Sequence, residues 1–262
     1  MNDGIYTTID ADTLVYLIAY KFRDSDDTEG ALIELDSFVR TLLDNTSASY
    51  YAGFLGGDKC FRYGVAKTKP YKGNRPESPD WYKKWSGPFK AYLRDEWNFD
   101  VVDGIEADDA VCIYQTWCRE HDKNSIMCHG DKDLYQIEGN HYNLRTHKRD
   151  YIDKITGYKN MYKQVLTGDP SDAIIGCRGV GKVGASALID SLSTEDEMRT
   201  AVLNKYYAVY KEEGPELYTE MYTLCKLLTH SDTLPILFYP YTPKVLSEEP
   251  GIDLTGLFDL YI

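Results

Sequence analysis

At 262 residues, 43% of them hydrophobic, with a mean hydropathy of −0.46, the chain has the material for a sizeable core and the balance of a globular protein. No apolar run approaches the roughly 18 residues of a membrane span, and the opening Met1-Asn2-Asp3-Gly4 lacks the basic flank and apolar stretch of a secretion signal, so the expected compartment is the cytoplasm, with no membrane attachment. The net charge of −13 speaks against a uniformly basic nucleic-acid binder, but the charge is unevenly distributed.

In chain order, Gly4 to Ile9 reads as a short strand, followed by Asp10 and then by helical apolar spacing from Thr13 to Phe22. Leu32 to Leu43 is an amphipathic helix with Leu32, Leu35, Phe38, Val39 and Leu42 on one face. Ser49 to Leu55 reads as a strand stopped by Gly56-Gly57. A polar, Pro-containing stretch runs from Lys67 to Pro79, and a helix follows through Trp85 to Trp97. From Lys67 to Arg94 eight basic residues face two acids, a local charge of +6 that leaves −19 for the rest. Charges are screened over about 8 Å at cellular salt, so such a strip can hold a phosphate backbone in an acidic protein.

Val101-Val102 is a short strand, Ala107 to Glu120 a helix, and Ser125 to His129 a strand ending at Gly130-Asp131. The alternation predicts an α/β fold, a mainly parallel sheet flanked by helices. Gly139 to Gly157 reads as a hairpin or loop, and from about Met161 to Pro235 the pattern is almost entirely helical. The expected division is an α/β domain over 1–160, including the basic segment 67–100, and a helical subdomain over 161–262, whose Tyr-rich part from Glu195 reads as supporting helices. The six cysteines never take C-x-x-C spacing, which disfavours zinc and suits reduced thiols.

Eight carboxylates fall in four groups: Asp10 in I-D-A-D; Glu106, Asp108 and Asp109 in E-A-D-D-A; Asp131 and Asp133 in G-D-K-D-L; Asp169 and Asp172 in G-D-P-S-D. Asp10 and Asp131 sit just past strand ends, which line one crevice in a parallel α/β sheet. Glu106 and Asp109, at i and i+3, share a helix face, and Asp108 points partly away, towards a second ion. Taken singly, any of these acids reads first as a helix N-cap; paired acids at four such places do not. Oxygen donors without His or Cys select Mg²⁺ or Mn²⁺, and two such ions are a device for cutting phosphodiesters.

Two further constellations remain open. In Tyr71-Lys72-Gly73-Asn74-Arg75, Lys72 and Arg75 suit either a solvated basic surface or a scissile phosphate, with Tyr71 available to stack on a base. The neighbouring Trp81, Tyr82, Trp85, Phe89 and Tyr92 fit single-strand contacts or a core face. Gly176 to Ala185 satisfies G-x-G-x-x-G and G-x-x-x-x-G-K, but Val183 stands where a P-loop has Ser or Thr, and the dinucleotide motif lacks its strand. A glycine turn between two helices, open to a phosphate, is the reading that remains, beside a purely structural turn.

On I-D-A-D, F-R-Y with Y-K-G-N-R, E-A-D-D-A, G-D-K-D-L, and G-D-P-S-D followed by the glycine turn, the chain resembles the 5′-nuclease family over roughly Ile5 to Leu192. That family comprises flap endonucleases, polymerase 5′-nuclease domains and phage 5′→3′ exonucleases. The resemblance implies that the eight acids hold two Mg²⁺ or Mn²⁺ ions and that Lys72 and Arg75, with Tyr71, meet the scissile phosphate from a helical arch or gateway. It implies further that Arg62, Lys67, Gly179, Gly181, Lys182 and Gly184 contact DNA, with K⁺ at the glycine turn. The implied activity is hydrolysis of DNA or RNA–DNA at a 5′ end, nick, flap or primer, by a monomer, leaving 5′-phosphate and 3′-hydroxyl. The chain departs from the family at the end of its second strand, where an Asp is usual and Leu55 stands, with Asp58 the nearest acid; its arch segment is also short. The alternatives are a non-cleaving branched-DNA binder with a degenerate metal site and an RNA-directed nuclease.

Overall fold

The structure, a computed structural model, describes residues 4–233 and 244–245; the expectations for the rest of the C-terminal region lie outside the described residues. The centre of the molecule is β1 (Tyr6–Asp10) beside β4 (Ser125–His129), both buried along their whole length. Strands covered on both faces need not alternate polar and apolar residues, and the polar Thr7 is satisfied by the Thr46 hydroxyl at 3.1 Å.

β2 (Tyr50–Cys60) and β3 (Asp100–Gly104) extend the sheet on one side, and β5 (Gly139–Asn143) and β6 (Arg149–Ile152) on the other, in the order β3-β2-β1-β4-β5-β6. All neighbours are parallel except β5 with β6, and β7 (Lys244–Val245), which pairs antiparallel with the start of β2. The order reverses between β1 and β4. Ile9 is in register with Cys128, so the two strands end together, with Asp10 the last residue of β1 and Asp131 two residues beyond β4.

Helices α1 (Ala11–Lys21), α2 (Thr28–Thr46) and α4 (Asp80–Trp97) cover one face of the sheet, and α5 (Ala107–Glu120) the other. A third core lies in a helical layer of α6 (Lys154–Thr167), α7 (Lys182–Ile189), α8 (Glu195–Tyr210) and α9 (Gly214–Cys225). The short α3 (Arg62–Val65) packs against α9, and α10 (His230–Thr233) against α5.

Several expectations are corrected. α1 and α2 start earlier than their apolar spacing indicates, because Asp10 and Asp27 cap them by accepting from the Thr13 and Gly30 amides at 3.2 and 2.9 Å. β2 runs through Gly56-Gly57 to Cys60, with a register irregularity against β3 there. α6 crosses the expected boundary at 160, since Asp153 caps it and accepts from Thr156 at 2.9 Å. Segment 67–100 forms no arch: Trp85, Phe89, Leu93 and Trp97, four residues apart, form a buried face in the core with α1 and α2, and the Trp85 indole donates to the Phe22 carbonyl at 2.9 Å. Nor is the basic strip continuous, because seven of its eight cations are ion-paired.

The connection from α6 to α7, residues 168–181, is longer than a tight interhelical turn and depends on two glycines in contact. Gly168 and Gly176 have φ of +70° and +64°, and a Cβ on Gly176 would lie 2.3 Å from the Gly168 nitrogen. Gly179, at φ +79°, faces open space. Gly179→Ala is therefore expected to cost only the left-handed backbone penalty of about 1–2 kcal/mol. Gly176→Ala adds a backbone clash and should cost distinctly more, as measured by urea unfolding of the two variants.

Candidate active site

The site begins with a buried ion pair. Asp109, fully buried in the first turn of α5, is gripped through both oxygens by Arg62, at 2.5 and 2.8 Å. It also accepts from the Glu106 amide at 3.2 Å, closing a capping box, and from the Leu228 amide at 3.0 Å. Arg62, 1% exposed, donates further to the Leu224 and Lys226 carbonyls. Two expectations fail here: Asp109 has no oxygen free for an ion, and Arg62 is sealed away from any DNA.

With Asp109 turned inward, the half-buried Asp108 takes the other side of the turn, towards Asp10 and Asp131. Its carboxyl is pushed well above the ordinary range by burial first, then by the charges of Asp10, Asp131 and Glu106. Asp10, 2% exposed, is raised to about 6 by burial, against the hydrogen bonds from Thr13, and by Asp12 and Asp131. Asp131 caps the turn after β4 by accepting from the Asp133 amide at 2.9 Å. Asp10, Asp108 and Asp131 thus form an acidic group at the point where the strand order reverses.

Around this group stand acids already matched by cations. Lys132 bridges Asp133 and Asp169 at 2.9 and 2.8 Å. Asp133 is nonetheless raised, by burial and by Asp131, whereas at Asp169 Lys132 and Ser171 outweigh burial and lower it. On the other side Lys72 pairs with Glu106, and Arg75 with Asp172. The Tyr71 hydroxyl donates towards Glu106 at 2.8 Å and Asp172 at 3.0 Å. Its ring is 5% exposed and belongs to the helical core, so the expected base stacking by Tyr71 is corrected. Among the described residues no three His, Cys, Asp or Glu side chains stand close enough to hold an ion as they are. The donor chemistry still suits a hard divalent cation: all oxygens, with Asp10 and Asp108 raised by burial and by neighbouring carboxylates and not paired with a cation.

The end of β2 resolves the departure at Leu55, which lies in the core at 0% exposure. Asp58 is exposed beyond it. A carboxylate does reach β2 next to Leu55, but from α1: Asp12 accepts from the Gly56 amide at 2.9 Å, where the register against β3 becomes irregular, and lies 2.8 Å from Lys90. A Cβ on Gly56 would come within 2.7 Å of that carboxylate. Asp12 was visible as the second acid of I-D-A-D, and Lys132 as the cation inside G-D-K-D-L; neither Lys90 nor Gln164, which donates to Asp133 at 2.8 Å, carries a sequence signal.

A cleft of about 950 Å³ leads from Asp133, Lys132 and Asp169 past Lys163 to Lys182. Gly179 and Gly181 lie beyond, with no atom within 4 Å of a built Cβ; Gly184 is inside α7, near Val180. Lys67 is exposed and paired with Glu216 at 3.3 Å.

A doubly wound sheet with carboxylates gathered at its topological switch point defines an α/β protein with an acidic site short of positive charge. The chain belongs to the 5′-3′ exonuclease family characterised by an N-terminal resolvase-like domain, which it matches over residues 6–167. It is 25% identical over 200 residues to the flap endonuclease Xni of Pseudoalteromonas translucida (strain TAC 125), covering 72% of this chain and 77% of that one. It is 29% identical over 145 residues to DNA polymerase I of Pseudomonas aeruginosa, covering 52% of this chain and 16% of the polymerase. The fold is shared with the bacteriophage T5 D15 protein co-crystallised with metal ions, at a TM-score of 0.57 and 16% identity over 85% of this chain and 100% of that one. A T5 D15 flap endonuclease complex with DNA and metal ions gives a TM-score of 0.58 at 15% identity, over 84% of this chain and 99% of that one.

The raised Asp10 carboxyl has a thermodynamic consequence. Its folded-state value of about 6 lies above the unfolded one, so the folded protein binds the proton more tightly. Without divalent ions, the contribution of Asp10 to stability should be full below about pH 4, be lost as the pH rises to about 6, and stay absent above that, so it is read as the difference between the wild type and a variant without this carboxyl. Asp10→Asn is expected to remove that loss and to stabilise the metal-free protein near neutrality by about 1–3 kcal/mol. Urea unfolding in EDTA across this range checks it.

Proposed function

We propose that this chain is a divalent-metal-dependent 5′-nuclease that hydrolyses DNA phosphodiesters at 5′ ends, nicks and flaps. The observation that carries the proposal is the group Asp10, Asp108 and Asp131 at the switch point, which among the described residues forms no ion pair with a basic side chain, while the acids on either side are already matched by cations. Family membership and the flap endonuclease relative support the same reading.

Asp10, Asp108 and Asp131, with Glu106, would hold one Mg²⁺ or Mn²⁺, and Asp133, Asp169 and Asp172 a second. Bound there, these ions supply the positive charge that acidifies an attacking water and offsets charge on the phosphate. The chain's own cations do the positioning. Lys72 and Arg75, paired with Glu106 and Asp172 in the free protein, exchange these carboxylates for the scissile phosphate and its neighbour, stabilising charge as it develops. Lys182 and the open amides of Gly179 and Gly181, at the far end of the cleft, receive the backbone of the duplex, contacts that fix position without reading sequence. The products are a 5′-phosphate and a 3′-hydroxyl.

The test is cleavage of a labelled 5′-flap duplex in Mg²⁺ and in EDTA, beside a blunt duplex and an RNA flap. Cutting near the junction that needs Mg²⁺ is expected; tight binding without cutting in Mg²⁺ or Mn²⁺ overturns the proposal in favour of a junction binder. Preference for the RNA flap would redirect it to primer removal. Asp131→Asn should lower kcat by more than the roughly 100-fold that losing a residue around a metal's ligands costs, with DNA affinity kept or improved because repulsion falls. Near wild-type turnover by that variant would remove the metal assignment.

A further inference from the structure

Opposite Lys72 and Arg75, the acidic group has a second rim that the proposed function leaves unused. Arg145, at the tip of the β5–β6 hairpin, lies with its guanidinium over the Tyr16 ring at 5.7 Å. Its Nε is 3.0 Å from where a Cβ on Gly130 would stand, and the Thr13 methyl is 2.5 Å from the same point. Gly130 precedes Asp131, and Thr13 donates to Asp10, so Arg145 is at the edge of the acidic group. The Asn143 side chain accepts from the Arg145 amide at 2.9 Å and sets the hairpin tip. Arg145 is exposed, and no carboxylate among the described residues pairs with it. In this it differs from Lys72 and Arg75, which are held in ion pairs.

A partly exposed aromatic wall continues outward from Tyr16. Tyr20, one turn further along α1, lies nearly parallel to it, at 6.5 Å and 10°. Trp81, near the start of α4, meets both edge-on at 5.6 and 5.7 Å. Tyr16 and Tyr20 are 39% and 49% exposed and Trp81 is half-buried; the Arg23 guanidinium lies over the Tyr20 ring at 4.3 Å, where a base would have to displace it or stack beside it. At the inner end Tyr82 adjoins Tyr16 at 5.9 Å and is near enough to Asp12 and Asp10 to feel their charge. Aromatic faces leading away from a phosphate-directed site, with an unpaired guanidinium at its edge, match alternating bases and phosphates. A protein partner would find no such continuity with the acids.

We propose that Arg145 binds a backbone phosphate, and that Tyr20 and Trp81 stack on the bases, of a single-stranded segment leaving the acidic site. The inference rests on the nuclease reading for the source of that strand. The surface itself is tested by binding alone.

The probe is fluorescent oligothymidylate titrated against the full chain in EDTA and followed by anisotropy. Arg145→Ala should weaken binding about tenfold and flatten the dependence of log Kd on log salt by about 0.7, the loss of one phosphate contact on a single strand. Arg145→Lys should restore the salt slope but only part of the affinity. Tyr20→Ala and Trp81→Phe should each weaken binding, about fivefold or more for Tyr20→Ala, and Trp81→Phe should also remove quenching of tryptophan emission by the oligonucleotide. Lys211→Ala, a charge-matched change in the helical layer, should shift Kd by less than about twofold. If Arg145→Ala and Tyr20→Ala bind like wild type, or if the wild-type protein does not bind oligothymidylate, the proposal is overturned, whether or not the flap is cut. If the strand binds as described but no substrate is cut, the surface stands and the nuclease reading fails.

Discussion

The ion pair between Arg62 and Asp109 fixes the geometry on which the site depends. A buried pair of this kind contributes little net stability, because desolvation offsets most of the attraction. What it contributes is orientation. Each oxygen of Asp109 accepts from the guanidinium and from a backbone amide, so the first turn of α5 has one rotational setting. Asp109 is then directed inward and Asp108 towards Asp10 and Asp131, and Glu106 is left between Arg62, Tyr71 and Lys72. The same guanidinium holds the Leu224 and Lys226 carbonyls at the end of α9. A single buried cation thus sets the acids of the sheet domain and fastens the helical layer beside them.

The acids in reach of one another are not electrostatically equivalent. Those around Lys132, Lys72 and Arg75 are matched by cations, and Asp10 and Asp108 are not. Burial together with repulsion, at the buried Asp10 and the half-buried Asp108, favours proton or cation uptake at that point over its neighbours. On the proposed function, arrival of a phosphate would exchange the partners of Lys72 and Arg75, and the carboxylates they release would be free to take a metal. Metal and substrate would therefore assist each other, because each supplies the partner that the other removes.

The sequence revealed the strand ends and therefore Asp10 and Asp131, because apolar runs that stop at an acid are a local pattern. It misled where tertiary contacts decide. The spacing of Glu106 and Asp109 correctly places them on one face, but only the Arg62 side chain, 47 positions away, determines that this face is inward for Asp109. The four-residue spacing of Trp85, Phe89, Leu93 and Trp97 is itself the mark of a core helix, and it outweighs the basic residues between them. Asp12 reaches Gly56 of β2 across 44 positions, a contact that no spacing rule anticipates. Arg145 was invisible for the same reason: its meaning comes from Gly130 and Tyr16, which lie on other elements.

The segment between α3 and α4 shows how the two halves of the molecule act as one site. Its start is held by Glu220 of α9, which accepts from the Lys67 and Thr68 amides at 2.8 and 2.7 Å. Further on, the Lys72 amide donates to the Asp172 carbonyl at 2.9 Å and Asn74 to the Pro170 carbonyl at 2.5 Å. Lys72 and Arg75 are thus carried on a loop that leaves the sheet but is anchored, residue by residue, to the helical layer. Gly168 and Gly176 in turn fix the turn that bears Asp169 and Asp172. The acids at the strand ends come from one half, and the cations facing them are positioned by the other. Any shift of the helical layer relative to the sheet would move Lys72 and Arg75 against Glu106, and Arg62, bonded to both halves, resists that shift together with Lys132 and Gln136, which also join them.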